Sequence, residues 1–181
     1  MRQTFQSDVG QLIRVLMKHP KDAIGSQDAV DAQWEDLRYL GRPDYDGMCR
    51  QADALMKIYA DYAVEVVRLP AADGTGMDSL YARDASIVTD MGVILCSMGK
   101  DQRRGEPDAQ EAAFQVLGLP LLGRISGEGR VEGGDCVWLD ETTIAVGRGY
   151  RTNAEGIRQL SALLEPHVSI LEVPAPHFRG P

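Results

Sequence analysis

Two carboxylates and a pair of glycines stand together in the segment GRVEGGDCVWLD, residues 129–140. Glu132 and Asp135 bracket Gly133 and Gly134, and an apolar run follows directly. One interpretation is a tight turn with solvated carboxylates, in which the glycines supply positive φ. The alternative is a site for a cationic ligand that approaches the backbone here, because desolvated carboxylates are costly unless a cation compensates them.

A repeat of 48 residues places similar side chains at equivalent points along the chain. The matching positions lie before each predicted hairpin, at its close and before the next helix: Asp84 and Glu132, Gly99 and Gly147, and Arg103 and Arg151. Repeated modules of this kind often surround a pseudo-symmetry axis, so that equivalent positions converge at one end. We therefore expect an acidic cluster and a pair of arginines in a single cleft.

This set of side chains suits a ligand that is positive at one end and negative at the other. A guanidinium group is planar and presents five N–H donors, which two carboxylates can grip. The two arginines could then bind a carboxylate at the far end of the ligand. Arginine and its relatives fit that description. A divalent cation is the other guest for clustered carboxylates, but no EF-hand spacing occurs and the nearby arginines would oppose it.

Hydrophobic periodicity predicts an α/β fold. Long helices are expected after residues 43–44, from about 107 to 118, and between 152 and 166, where Thr152 and Glu155 have capping-box spacing. Each helix leads into a strand-like run, at 64–69, 119–125 and 168–173, and hairpins are predicted at 85–96 and 136–147. A further strand is expected at 9–17 and a short helix within 26–40. The order predicts repeated ββαβ modules in a single domain, residues 1–181.

Composition excludes several classes of protein. The chain has a net charge of -8 and a pI near 4.9, which argues against a nucleic-acid partner. No apolar run approaches the length of a membrane span, and we expect no membrane partner. Cys49, Cys96 and Cys136 lack metal-type spacing, so we predict no metal or other cofactor and a reducing, cytoplasmic location.

Several linked motifs carry a family resemblance. The segments MDSLYARDASIVTD, DQRRGE and RVEGGDCVW, followed by VGRGYRTNAEG, resemble the guanidino-group modifying superfamily. That superfamily includes the dimethylarginine dimethylaminohydrolases, the arginine deiminases and the amidinotransferases. The likeness covers most of residues 41–173. It implies a five-bladed α/β propeller (pentein-like), of which this chain would form the N-terminal part, about three modules.

The resemblance also implies a chemistry and a set of residue roles. A cysteine thiolate attacks the guanidinium carbon, and a histidine shuttles protons. By position, Glu132 would be the catalytic carboxylate that grips the guanidinium beside the nucleophile, and Asp84 would hold it from another module. Asp78 would bind the amino end of the substrate, and Arg103 and Arg151 would bind its carboxylate.

Two further expectations concern substrate and completeness. Arg83 stands where dimethylarginine-specific members tend to be acidic, and so resembles the deiminases. The family's histidine and cysteine are expected from sequence beyond this chain or from another polypeptide, because Cys136 reads as a core residue and His167 and His177 are poor substitutes. The alternative is a non-catalytic relative that binds arginine-like ligands or oligomerises. Both versions predict self-association or a completing C-terminal segment.

Overall fold

In a computed structural model, residues 4–175 are described, and they form two compact units. The small unit is Gln11–Ala82, and the large unit consists of residues 4–10 and 83–175. The prediction of a single domain over residues 1–181 remains a prediction. None of the helices within the described residues is long and apolar enough to cross a membrane.

The small unit is built around two parallel strands separated by helices. Its elements run in the order β1 (Arg14–Lys18), α1 (Pro20–Ala23), α2 (Gln27–Asp31), α3 (Tyr45–Asp61) and β2 (Glu65–Leu69). Helix α3 begins where the Asp44 side chain accepts a hydrogen bond from the N–H of Gly47, an N-cap that satisfies one otherwise unpaired donor. The buried side chains of Val30, Leu37 and Met77 form the apolar core of the small unit.

The large unit contains two copies of the same module. Its elements are β3 (Ser86–Thr89), β4 (Gly92–Leu95), α4 (Glu106–Val116), β5 (Leu121–Arg124), β6 (Cys136–Asp140), β7 (Thr143–Arg148), α5 (Ala154–Leu163) and β8 (Ser169–Pro174). Each copy is an antiparallel hairpin followed by a helix and a strand that pairs in parallel, giving sheets β3-β4-β5 and β6-β7-β8. The predicted ββαβ repeat is confirmed for these two copies.

One apolar core joins the two modules of the large unit. Ile94 of β4, Trp138 of β6, Ile144 of β7 and Leu160 of α5 are buried in the same cluster. The alternation of apolar and polar residues along the strands sends these side chains to one face of each sheet. The ends of the hairpins, where the acidic motifs lie, are thereby fixed against each other.

Two sequence predictions about local structure were wrong. The strand expected at 9–17 begins only at Arg14, and residues 4–8 contact the hairpin turns of the large unit. The cap of α5 is Asn153 rather than Thr152: the Asn153 side chain accepts the N–H of Gly156. The other predicted helices and strands are confirmed, with ends shifted by a few residues.

Candidate functional site

Asp84, just before hairpin β3-β4, is bound by a buried arginine. Arg103, in the turn before α4, donates from Nη1 to Asp84 Oδ2 at 2.7 Å. The same guanidinium grips Glu106 with two bonds of 2.8 Å, Nε to Oε1 and Nη2 to Oε2. The Arg103 side chain is only 2% exposed. The guanidinium therefore links Asp84 to the first turn of α4.

The charge of this arginine is secured by its partners. Burial lowers the pKa of Arg103, but hydrogen bonds to Glu106 and Asp84 outweigh that effect and raise the pKa above its usual value. A bidentate arginine–carboxylate pair fixes orientation as well as charge. Arg103 consequently holds the Asp84 carboxylate in one direction.

Glu132, just before hairpin β6-β7, is held by contacts of both its buried carboxylate and its backbone. Its Oε1 accepts the N–H of Gly99 at 3.0 Å, and its Oε2 pairs with Nη1 of Arg151 at 3.1 Å. The backbone N–H of Glu132 donates to the hydroxyl of Thr152 at 3.2 Å. Burial lowers the pKa of Arg151, but the charge and hydrogen bond of Glu132 reverse this and raise it overall. The carboxylate of Glu132 is thus already bound to the guanidinium of Arg151.

The glycine pair allows close approach rather than unusual backbone angles. Neither Gly133 nor Gly134 is among the residues with positive φ. A Cβ on Gly133 would overlap the carbonyl oxygens of Arg83 and Ser86, and a Cβ on Gly134 would overlap Oδ1 of Asp84. The positive-φ interpretation is therefore wrong. The glycines bring the Asp84 carboxylate against the turn that begins at Glu132, as the repeat predicts.

Thr152 and Asp135 support this turn. The Thr152 hydroxyl donates to Asp135 Oδ2 at 2.6 Å while it accepts the N–H of Glu132. Thr152 is fully buried, so these bonds are shielded from water. Asp135 thus ties the turn to the start of α5 and has a structural role.

Asp78 and Arg83 have separate surroundings. Asp78, in the small unit, is 4% exposed and accepts a hydrogen bond from the Tyr39 hydroxyl at 3.0 Å. Burial, a hydrogen bond to Tyr81 and the charge of Asp78 raise the pKa of Tyr39, so that hydroxyl stays protonated. In the large unit, Arg83 donates to the carbonyl of Cys136 and pairs with Asp8 at 3.0 Å.

The cysteines of residues 4–175 are all buried. Burial, with a smaller contribution from the charge of Asp135, raises the pKa of Cys136 to about 12, so its thiolate is not available near neutral pH. Burial also raises the pKa of Cys96 well above its usual value, and the charges of Cys136, Glu132 and Asp84 add to the effect. The prediction that Cys136 is a core residue is confirmed.

Each histidine within residues 4–175 lies against a carboxylate other than Asp84 and Glu132. His167 is exposed and lies 4.0 Å from Glu165, and His19 of the small unit is buried against Asp53. His177 lies outside the described residues. In the part of the chain that the structure describes, no group of His, Cys, Asp and Glu side chains is arranged to hold a metal ion.

Sequence reasoning missed the roles of three residues that build the site. Glu106 fixes Arg103, Gly99 donates its N–H to Glu132, and Thr152 supports the Glu132 turn. The spacing of Glu106 three positions after Arg103, at the start of a helix, was a signal for an ion pair. The role of Gly99 was marked only by its place in the repeat.

Comparisons with known proteins find relatives of this chain. The model of the arginine deiminase family matches residues 77–179. The N(G),N(G)-dimethylarginine dimethylaminohydrolase of Pseudomonas aeruginosa is 33% identical over 129 residues, which are 71% of this chain and 50% of that protein. The enzyme of that name from Streptomyces coelicolor is 34% identical over 116 residues, 64% of this chain and 44% of that protein. The chain spans about half the length of these curated relatives.

Solved structures share the fold. A cysteine-to-serine variant of the Pseudomonas aeruginosa enzyme, complexed with citrulline, has a TM-score of 0.71 at 26% identity, covering 93% of this chain and 64% of that one. A dimethylarginine dimethylaminohydrolase adduct with 4-chloro-2-hydroxymethylpyridine has a TM-score of 0.71 at 28% identity, covering 90% and 61%. The N-terminal domain of a cyanobacterial arginine dihydrolase, bound to substrate, has a TM-score of 0.72 at 21% identity, covering 90% and 59%. That last likeness concerns the fold alone.

Proposed function

Because this chain belongs to the arginine deiminase family, we propose that it binds arginine or a close derivative and contributes to hydrolysis or transfer at the guanidino group. One observation carries the proposal. Asp84 and Glu132, the two carboxylates expected to grip a guanidinium, each bind a guanidinium of the chain itself, from Arg103 and Arg151. Their geometry therefore suits the group that the proposed substrate would present.

The proposed residue roles are those that the family resemblance implies, and the contacts of Glu132 and Asp84 support them. Glu132, 3% exposed at its side chain, serves as the catalytic carboxylate that holds and polarises the guanidinium. Asp84 binds a second edge of that group, and the role expected for Asp78, in the small unit, stays a prediction. Arg151 binds the substrate carboxylate. The same role was predicted for Arg103, but its enclosed bonds to Asp84 and Glu106 favour a positioning role.

The chemistry depends on how carboxylates act on a guanidinium. Buried carboxylates hold positive charge on the substrate nitrogens, and this orients the central carbon for attack by a thiolate. The thiolate and the proton-carrying histidine would come from sequence beyond this chain or from another polypeptide. A C-terminal segment or self-association that supplied these two groups would also complete a five-bladed propeller. The buried cysteines suit a cytoplasmic location.

Two measurements test the proposal together. L-arginine should raise the melting temperature of the wild-type chain, and Glu132→Gln should abolish that rise. Glu128→Gln is the matched control, because its exposed carboxylate lies four residues earlier on the same segment. A longer form that includes the family's cysteine and histidine should release citrulline or ornithine. The proposal would be refuted if L-arginine stabilised no form of the protein and no form released product.

Binding without turnover is the second candidate. It is favoured by the burial of each cysteine within residues 4–175, which leaves this part of the chain without an accessible thiolate. In that case L-arginine would stabilise the protein, but even the longer form would release no product. The two readouts therefore separate an enzyme from a binding protein.

A further inference from the structure

The two arginines on the proposed guanidinium-binding carboxylates are held in very different ways. Arg103 is 2% exposed and makes three bonds of 2.7–2.8 Å to Asp84 and Glu106. The Arg151 side chain is 34% exposed and forms one ion pair, of 3.1 Å, with Glu132. Its guanidinium carbon also lies 5.3 Å from the centre of the Tyr150 ring. The guanidinium on Asp84 is enclosed, whereas the one on Glu132 can leave.

Glu132 does not need Arg151 to keep its position. Its Oε1 is bound by the backbone N–H of Gly99, and its own N–H is bound by Thr152. Gly99 also admits the carboxylate, because a Cβ there would lie 3.2 Å from Oε1. The departure of Arg151 would therefore expose one oxygen, Oε2, of a carboxylate that stays in place.

Because Arg151 already binds Oε2, a guanidinium ligand that approaches this oxygen competes with Arg151. The exchange conserves the charge and the type of hydrogen bond on Glu132, so it gives the ligand little net advantage there. The released Arg151 gains a new partner only if the ligand also carries an anion. A bidentate arginine–carboxylate pair would supply that compensation.

We propose that Arg151 is a specificity-determining residue, which occupies Glu132 in the free protein and yields it to ligands that carry both a guanidinium and a carboxylate. This inference rests on the proposed function. It selects amino-acid or other carboxylate-bearing guanidino compounds and disfavours guanidino compounds without a carboxylate. Discrimination between the two classes of ligand arises because Arg151 competes for Glu132, in addition to any direct contact of Arg151 with the ligand carboxylate.

The test compares two probes by calorimetric titration of the full chain. L-arginine carries both groups, and methylguanidine carries the guanidinium alone. In the wild type we expect methylguanidine to bind at least tenfold more weakly than L-arginine. Arg151→Gln should bind methylguanidine at least fivefold more tightly than the wild type and L-arginine at least fivefold more weakly. Opposite changes for the two probes are the signature of a competitor.

Controls separate this inference from a structural effect. Arg148→Gln removes a partly exposed arginine that pairs with Glu172, and should change neither affinity. Arg151→Lys retains a cation without the planar fork and should give intermediate values, which provides a second variant if Arg151→Gln folds poorly.

The outcomes distinguish the inference from the proposed function. If Glu132→Gln abolishes L-arginine binding but Arg151→Gln leaves methylguanidine affinity unchanged or weaker, the competitor is refuted and the proposed function stands. If no form binds either probe, or if L-arginine binding does not depend on Glu132, the proposed function fails and this inference fails with it.

Discussion

Replacement of Arg103 with methionine is expected to lower the free energy of unfolding by about 3–5 kcal/mol. The change removes three short bonds and leaves the side chains of Glu106 and Asp84, 3% and 19% exposed, without this guanidinium. Loss of one partner from a buried ion pair is costly because the remaining charge stays desolvated. For a chain of this length the loss corresponds to a fall of roughly 6–20 °C in melting temperature.

Arg124→Met provides a matched control within the same unit. Arg124 also binds two carboxylates, Asp108 at 2.9 Å and Glu111 at 2.6 Å, but its side chain is 46% exposed. Exposed pairs contribute little, so this change should cost less than about 1 kcal/mol. Both variants are compared with the wild type by urea unfolding followed by circular dichroism. Equal losses for the two variants would refute the claim that Arg103 is a buried link to Asp84.

Removal of one carboxylate partner of Arg103 tests the same explanation for the loss of stability. Adding Glu106→Leu to Arg103→Met removes the buried carboxylate that the first change left without the Arg103 guanidinium. Replacement of a buried pair by apolar residues is often close to neutral. The double variant should therefore recover part of the lost stability, and a further loss would show that the ion pair is not the source of the effect.

Three further results are expected. Gly133→Ala should lower the melting temperature more than Gly134→Ala, because its Cβ would overlap two backbone carbonyls rather than one carboxylate oxygen; equal shifts would contradict the close-approach explanation. At pH 8 a thiol reagent should label none of the three cysteines in the folded protein and all three after denaturation, whereas rapid native labelling would contradict their burial. Hydrogen bonds from Arg158 lower the pKa of Glu155 from 4.5 to about 2. As the pH is lowered, the unfolded state therefore takes up the proton first, and the free energy of unfolding should decrease between about pH 4.5 and pH 2. Acid titration of Glu155→Gln should show a smaller fall than the wild type, and an unchanged profile would exclude this contribution.

The fold was largely readable from sequence because its repeat left a regular pattern. Hairpins, helices and parallel strands recur with one spacing, and the apolar alternation of residues such as Trp138 and Ile144 marks the buried faces. The start of β1 was placed too early because the apolar pattern at residues 9–17 does not show at which residue strand pairing begins. The contacts of residues 4–8 with distant turns leave no local signal in the sequence either.

The candidate site was predicted in outline but not in its internal pairing. Matched spacing placed Asp84 near the Glu132 turn, since equivalent ends of repeated modules converge. The same spacing made Arg103 and Arg151 look alike, although one is enclosed by Glu106 and the other is partly exposed. Sequence also could not separate a glycine needed for positive φ from one needed for close approach, because both require the absence of a side chain.

A structure of the chain bound to L-arginine would test the central claim most directly. The account predicts the ligand guanidinium within about 3 Å of the carboxylate oxygens of Glu132 and Asp84. It also predicts Arg151 displaced from Glu132 and turned toward the ligand carboxylate. L-arginine bound elsewhere, with Arg151 still paired to Glu132, would contradict the account.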